Sequence, residues 1–265
     1  MRVPLAVRAV PSLTFRAWLT PPPLGRDTRD RDLQSLAGLS PVHYGGVPGH
    51  EIGTGALAIA LHGWGGRTAQ MAPVARRLAE AGHRVVLPRI PGYAGGPPTD
   101  IKQAAAAVAA VIEDLGPPQL VVGHSFASMV LRLVFAEAAP PRMALVAPAL
   151  DVNDALVVFG ERLGLMPWAR RGLRQRLETW DPVLWPTLSR SSPSQFPGAR
   201  ILIVHDPADA DTPFSRSAEL AATRPGTSIV AIEGAGHSRI LSDETAVDRI
   251  GVFASGTRLR RESAA

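Results

Sequence analysis

From residue 56 onward the chain alternates short β-type runs with helical patterns, and this rhythm restricts the possible fold more than any single motif does. The strand candidates are ALAIALHG, HRVVLP, QLVVGHS, RMALVAP, ARILIVH and TSIVAIEG, with helical patterns over 69–81, 100–115, 126–138, 214–223 and 243–253. Most of these strands are continuous apolar runs. Strands of that kind are buried on both faces, so the expectation is an α/β fold with a mostly parallel, doubly wound sheet flanked by helices. At 265 residues and 46% hydrophobic side chains, the chain holds enough material for one large core of this type.

Two stretches stand outside the rhythm. Residues 1–40 carry scattered apolar side chains and arginines and read as an N-terminal helical arm, followed by VHYGGVPGHEIG, a hairpin candidate through Gly45 and Gly46. Residues 151–196 place a helical, tryptophan-containing insertion between RMALVAP and ARILIVH. Ligands of open α/β sheets bind beyond the carboxyl ends of the strands, so an insertion leaving such an end is expected to cap the site. The expected division is an arm over 1–40, a core over 41–150 and 197–256, a helical cap over 151–196 and a tail over 257–265.

Several chemistries are excluded or unsupported. The chain has no cysteine, which removes disulfides, thiolate nucleophiles and thiolate metal sites. The net charge of +5 is carried by arginine, since Lys102 is the one lysine, with basic groups at 26–31, 170–176 and 258–261. These read as solvated surface, and no nucleic-acid partner is expected. No stretch reaches the roughly 20 apolar residues of a membrane span, and Pro4, Arg8 and Pro11 interrupt any signal-peptide core. A cytoplasmic chain is the resulting expectation. His43, His50, His83 and His205 have no metal-ligand spacing, and neither a dinucleotide-binding glycine fingerprint nor a phosphate loop is present; no metal or cofactor is expected.

The segment LVVGHSFAS, residues 120–128, runs from a strand into a helix with a serine where a turn-forming Asp, Asn or Gly would be usual. A sharp strand-turn-helix puts the Ser125 hydroxyl at its apex, above free N–H groups of the helix start, and the small residues Gly123 and Ala127 leave room for the turn. An alcohol attacks a carbonyl only if a base removes its proton, and the imidazole that does so needs a carboxylate on its other nitrogen. His237, in EGAGHSRIL, is a candidate base, and Asp206, Asp209 and Asp211 crowd the loop after ARILIVH.

With Gly123-His124-Ser125-Phe126-Ala127, the chain resembles the α/β-hydrolase superfamily, whose nucleophile elbow reads Gly-x-Ser-x-Gly, with alanine here at the last position. The resemblance covers about residues 56–255. It implies a catalytic triad of Ser125, an acid and His237 in that chain order, with His237 in the loop after the last strand. Asp209 is the favoured acid, because the family's acid commonly lies a few residues past the strand and four before a proline, here Pro213; Asp206, Asp211 and, after the previous strand, Asp151 remain alternatives. The resemblance also implies an oxyanion hole from the N–H groups of Phe126 and of Trp64 in His62-Gly63-Trp64-Gly65-Gly66, with His62 a loop-stabilising hydrogen bonder. PRIPGYAGG, residues 88–96, is similar to the family's proline-glycine loop, without the aspartate often found near Arg89.

The insertion holds Trp168, Trp180 and Trp185 with Phe159, Leu163, Leu165 and Met166. Phe159, Met166 and Trp168 are taken as candidate substrate-binding residues of an apolar acyl pocket, against the alternative of a small core internal to the cap. The arginines at 170, 171, 174 and 176 offer attraction to an anionic leaving group. The expected activity is that of a serine esterase acting without cofactor on a small-molecule ester with a small or medium-chain, largely apolar acyl group, through an acyl-enzyme. Thioester, lactone or carbon–carbon hydrolysis and cofactor-free perhydrolysis use the same triad, and a non-catalytic binding protein on the same scaffold is a further alternative.

Overall fold

The computed structural model describes residues 5–25, 28–189 and 195–256, without the side chains of 5–11 and 29. The tail expected at 257–265, with the arginines at 258–261, and Arg26 lie outside the described residues. The chain begins with helices α1 (Leu5–Leu19) and α2 (Thr28–Ser35), then the hairpin β1 (Ser40–Tyr44) and β2 (Val47–Ile52). Tyr44 pairs with Val47 across Gly45 and Gly46, whose φ angles of 56° and 75° are those of a two-residue turn open mainly to glycine.

The alternation follows as β3 (Ala56–Leu61), α3 (Ala72–Glu80), β4 (His83–Pro88), α4 (Ile101–Leu115), β5 (Leu120–His124), α5 (Ala127–Val134) and β6 (Arg142–Val146). After the inserted helices α6 (Val152–Arg162), α7 (Pro167–Trp180) and α8 (Leu184–Leu188), it resumes with β7 (Arg200–His205), α9 (Phe214–Thr223), β8 (Thr227–Ala231) and α10 (Glu244–Ala254). The sheet order is β1-β2-β4-β3-β5-β6-β7-β8, and β2 runs antiparallel to its neighbours while β3 to β8 run parallel. The expected mostly parallel α/β sheet is therefore present.

Successive residues of the central strands point to opposite faces, and each face meets its own helices. Ala58, Ala60, Leu120, Val122, Leu202 and Val204 pack toward α3 and α10, through Val74, Leu78, Ile250 and Phe253. Ile59, Leu61, Val121, Met143, Leu145 and Ile203 pack toward α4, α5 and α9, through Val108, Leu131 and Leu220. Covering both faces explains why these strands read as unbroken apolar runs. β8, at the sheet edge, is half exposed instead. The third apolar cluster joins Leu156, Leu173, Leu177, Trp185 and Leu188 of the inserted helices to Met129 of α5 and to Phe15 and Trp18 of α1. The carboxyl ends of β5 to β7 thus lie under a layer to which both the insertion and the N-terminal helix contribute.

Candidate active site

Ser125 follows the last residue of β5 with φ at 53°, a left-handed conformation that non-glycine residues avoid without support. Three backbone hydrogen bonds supply it: Ser125 N–H donates to the Val146 carbonyl at 3.0 Å, and the Ser125 carbonyl accepts from Ser128 N–H at 2.9 Å and Ala149 N–H at 3.2 Å. A Cβ at position 123 would lie 2.6 Å from Leu131 Cδ1, so any larger residue where β5 passes α5 would force the Leu131 side chain to move. The same hypothetical Cβ would stand 3.6 Å from the Ala127 Cβ, an ordinary contact, so alanine fits at 127.

The loop after β8 brings His237 over the serine. Its Nε2 is 2.9 Å from Ser125 Oγ, and its Nδ1 is 2.8 Å from Asp209 Oδ2. Asp209 Oδ1 accepts from Asp211 N–H at 2.7 Å and Thr212 N–H at 3.0 Å, and Oδ2 accepts from Thr212 Oγ1 at 3.0 Å. Burial works to raise the Asp209 pKa, but the hydrogen bonds from His205 and His237, the His237 charge and the Asp211 N–H outweigh it and hold the carboxyl well below the usual range. An ionised carboxylate only accepts, so His237 Nδ1 carries the hydrogen and the Nε2 lone pair faces the Ser125 hydroxyl.

The other aspartates occupy different positions. Asp206 accepts from Ala208 N–H at 2.9 Å and Gly236 N–H at 2.5 Å, tying the β7 loop to the His237 loop; these two bonds keep its pKa low. Asp211 pairs with Arg162. Asp151 caps α6 through Asn153 N–H at 2.8 Å and lies 3.5 Å from Arg216. Asp209, Asp211 and His237 also offer potential metal-ligand atoms within 4.8 Å of one another, but each of these groups already holds a hydrogen-bond partner described above.

Three histidines shape the surroundings, and sequence reasoning placed none of them against Asp209 or His237. His205, at the end of β7, has Nε2 3.2 Å from Asp209 Oδ2 and Nδ1 2.7 Å from Ser217 Oγ, so the carboxylate sits between two imidazoles. Its position four residues before Asp209 was the available signal. His124 Nε2–H donates to the His237 carbonyl at 2.8 Å, and the two rings lie 4.9 Å apart. Burial pushes the His124 pKa down to about 3 and that of His62 down to about 4. His62 Nδ1–H donates to the Gly63 carbonyl at 2.9 Å, inside the loop it was expected to stabilise.

That loop approaches the elbow closely: a Cβ on Gly63 would be 3.1 Å from Ser125 Cβ. Trp64 and Phe126 rings meet edge to face at 5.2 Å, and among the described residues neither backbone N–H donates a hydrogen bond. Gly65 N–H donates to the Gly92 carbonyl at 2.6 Å, so the 88–96 loop braces the turn. The N-terminal segment braces it from outside, since a Cβ on Gly65, at φ 63°, would be 2.3 Å from Pro22 Cγ.

Ser125 and His237 open into a cavity of about 370 Å³ with mainly apolar walls. Phe126, Met129, Leu177, Trp185 and Leu188 line it, with Phe159 facing Trp18 edge to face at 5.1 Å. Leu177, Trp185 and Leu188 belong at once to the cavity wall and to the apolar cluster of the inserted helices. Of the three expected substrate-binding residues, Phe159 is in the wall. Met166 and Trp168 are not: both are exposed, because α7 turns Ala169, Leu173 and Leu177 inward and the two residues at its start fall outside that stripe. Trp18 and Leu19 of α1 also line the cavity, and sequence reasoning had given that helix no role.

A family model described as "Alpha/beta hydrolase family" matches residues 58–250. Among solved structures, an esterase from Exiguobacterium antarcticum superposes with a TM-score of 0.58 at 17% identity, covering 81% of this chain and 98% of its own. A 2-hydroxy-6-oxo-6-phenylhexa-2,4-dienoate hydrolase from Rhodococcus sp. strain RHA1 gives 0.58 at 17% identity, covering 82% and 99%. A bacterial membrane phospholipase A gives 0.60 at 17% identity and covers 95% of this chain and 93% of its own. A search of the curated proteins returned no match.

Proposed function

The chain belongs to the α/β-hydrolase family, and from that premise we propose that it is a serine esterase. Its substrate is a carboxylic ester with a small or medium-chain, largely apolar acyl group. The observation that carries the reading is the unbroken relay from Ser125 Oγ through His237 to Asp209, at 2.9 and 2.8 Å, opening into an apolar cavity. His237 Nε2 takes the hydroxyl proton as Ser125 Oγ bonds to the acyl carbon, and the carbonyl electrons move onto oxygen. The N–H groups of Trp64 and Phe126 hold that oxyanion, each worth roughly 10²- to 10³-fold in rate. Collapse expels the alkoxide, which receives the proton from His237, and leaves an acyl-serine. Water then attacks with His237 again as base, releasing the carboxylic acid and restoring the Ser125 hydroxyl. Asp209 fixes the tautomer and balances the imidazolium. The three helices between β6 and β7 act as the cap, with α1 completing the pocket wall. A cavity of about 370 Å³ is at the small end for ligand pockets, which favours short and medium acyl chains.

The test is turnover of p-nitrophenyl esters from acetate to decanoate by wild type, Ser125→Ala and Asp209→Asn. Loss of turnover in Ser125→Ala and a fall of about 10³- to 10⁴-fold in kcat for Asp209→Asn are expected. Turnover that survives Ser125→Ala overturns the reading. Likeness to the Rhodococcus hydrolase supports a second one, carbon–carbon bond hydrolysis by the same residues; Ser125 labelling by a fluorophosphonate without turnover of any ester in the series favours it.

A further inference from the structure

The two residues expected in the pocket and found outside it lie where α6 turns into α7, a segment from Leu163 to Trp168 that includes the first residues of α7. Leu163, Met166 and Trp168 are 50%, 60% and 43% exposed, a concentration of large apolar side chains on one short turn that water disfavours. The turn is firmly built. Gly164, at φ 61°, closes α6: Leu165 N–H donates to the Gly160 carbonyl at 2.7 Å and Gly164 N–H to the Glu161 carbonyl at 3.0 Å. Pro167 then opens α7 at its first turn. A Cβ on Gly160 would be 2.3 Å from Arg170 Cδ, so the arginine stem crosses α6 at that glycine.

Arginines flank the tip on both sides. Arg162 precedes it and pairs with Asp211; Arg170 and Arg171 follow it and make no ion pair among the described residues. From 161 to 178 the sequence carries five arginines against Glu161 and Glu178, the second of which pairs with Arg174. An exposed apolar tip that includes a tryptophan, flanked along the chain by arginines, matches an anionic lipid surface: the apolar side chains enter the headgroup boundary while the guanidinium groups meet phosphate. A second copy of the chain would bring arginine against arginine, and a convex turn offers no groove for a peptide.

We propose that the α6–α7 turn docks the protein peripherally on anionic bilayers. Among the described residues no helix is long and apolar enough to span a membrane, so the attachment is to the surface. Phe159 and Arg162, just before the turn, line the cavity, so docking brings the cavity wall to the lipid. The claim concerns binding and stands apart from the esterase reading.

The experiment is co-sedimentation of the full chain with phosphatidylcholine vesicles and with vesicles containing phosphatidylglycerol. Binding to the anionic vesicles, falling as salt is raised, is expected. Met166→Ser/Trp168→Ser and Arg171→Glu should each weaken it about tenfold or more while leaving the thermal midpoint and ester turnover unchanged, since all three side chains are exposed. Absence of binding to anionic vesicles overturns the proposal. So does binding that Met166→Ser/Trp168→Ser leaves intact, or a concentration-dependent dimer of the free protein that the same variant abolishes.

Discussion

Acidification from pH 7.5 to 5 should destabilise this protein by an amount set mainly by His62 and His124. An unfolded imidazole titrates at about 6.5, whereas burial lowers the folded values to about 4 and about 3. Between those limits the unfolded chain binds more protons than the native one, so stability falls as pH falls, beginning near 6.5. At pH 5 each unfolded ring is almost fully protonated and each native ring almost none. Integrating the proton difference gives about 2 kcal/mol per histidine, or about 4 kcal/mol together, and a folded pKa one unit different changes this little. His50 and His83, also lowered chiefly by burial, act in the same direction. The lowered Asp209 contributes stability present above the unfolded carboxyl pKa and lost only as pH falls below it, outside this window. A loss of 4 kcal/mol is a large part of ordinary domain stability and corresponds to about 10 °C in Tm. Urea unfolding at pH 7.5, 6 and 5 measures it. His124→Asn and His62→Asn, each less stable than wild type at pH 7.5, should each show about half the wild-type slope. A midpoint that does not move between pH 7.5 and 5, or variants with the full wild-type slope, would refute the assignment of buried, uncharged imidazoles at these positions. Because the His124 ring lies against His237, acid loss of turnover is expected to follow this unfolding.

Three further outcomes are expected. His205→Leu removes the second imidazole from Asp209, a charge-assisted hydrogen bond of about 1.5–3 kcal/mol; kcat should fall roughly tenfold and the pH profile should shift, with KM little changed, and an unchanged pH profile would reduce His205 to a packing residue. Gly65→Ala forces a Cβ onto Pro22 at a left-handed φ, costing about 1–2 kcal/mol of backbone strain; if Trp64 N–H serves the oxyanion, kcat should drop about tenfold in a folded protein, and full turnover would count against that donor. Phe159→Ala opens the wall opposite Trp18, so the preferred acyl chain in the p-nitrophenyl series should lengthen; an unmoved optimum would mean that the acyl group lies elsewhere.

The sequence by itself determined the order of strands and helices, the Ser125 turn between Gly123 and Ala127, the site of the insertion and the short set of acids available to His237. These are local properties: apolar runs, helical spacing and turn chemistry are written within a few residues of where they act. Tertiary structure alone decided which of four aspartates stands 2.8 Å from His237, because each of Asp206, Asp209 and Asp211 forms or joins a turn and only loop packing selects the one that faces the imidazole. It also decided that His205 reaches Asp209, that Trp18 of α1 walls the cavity, and that Met166 and Trp168 face outward. The insertion has tryptophans and leucines on more than one side of its helices, so periodicity left its inward face ambiguous. Contact with α1 and α5, more than a hundred residues away for α1, set that face, and no local pattern records it.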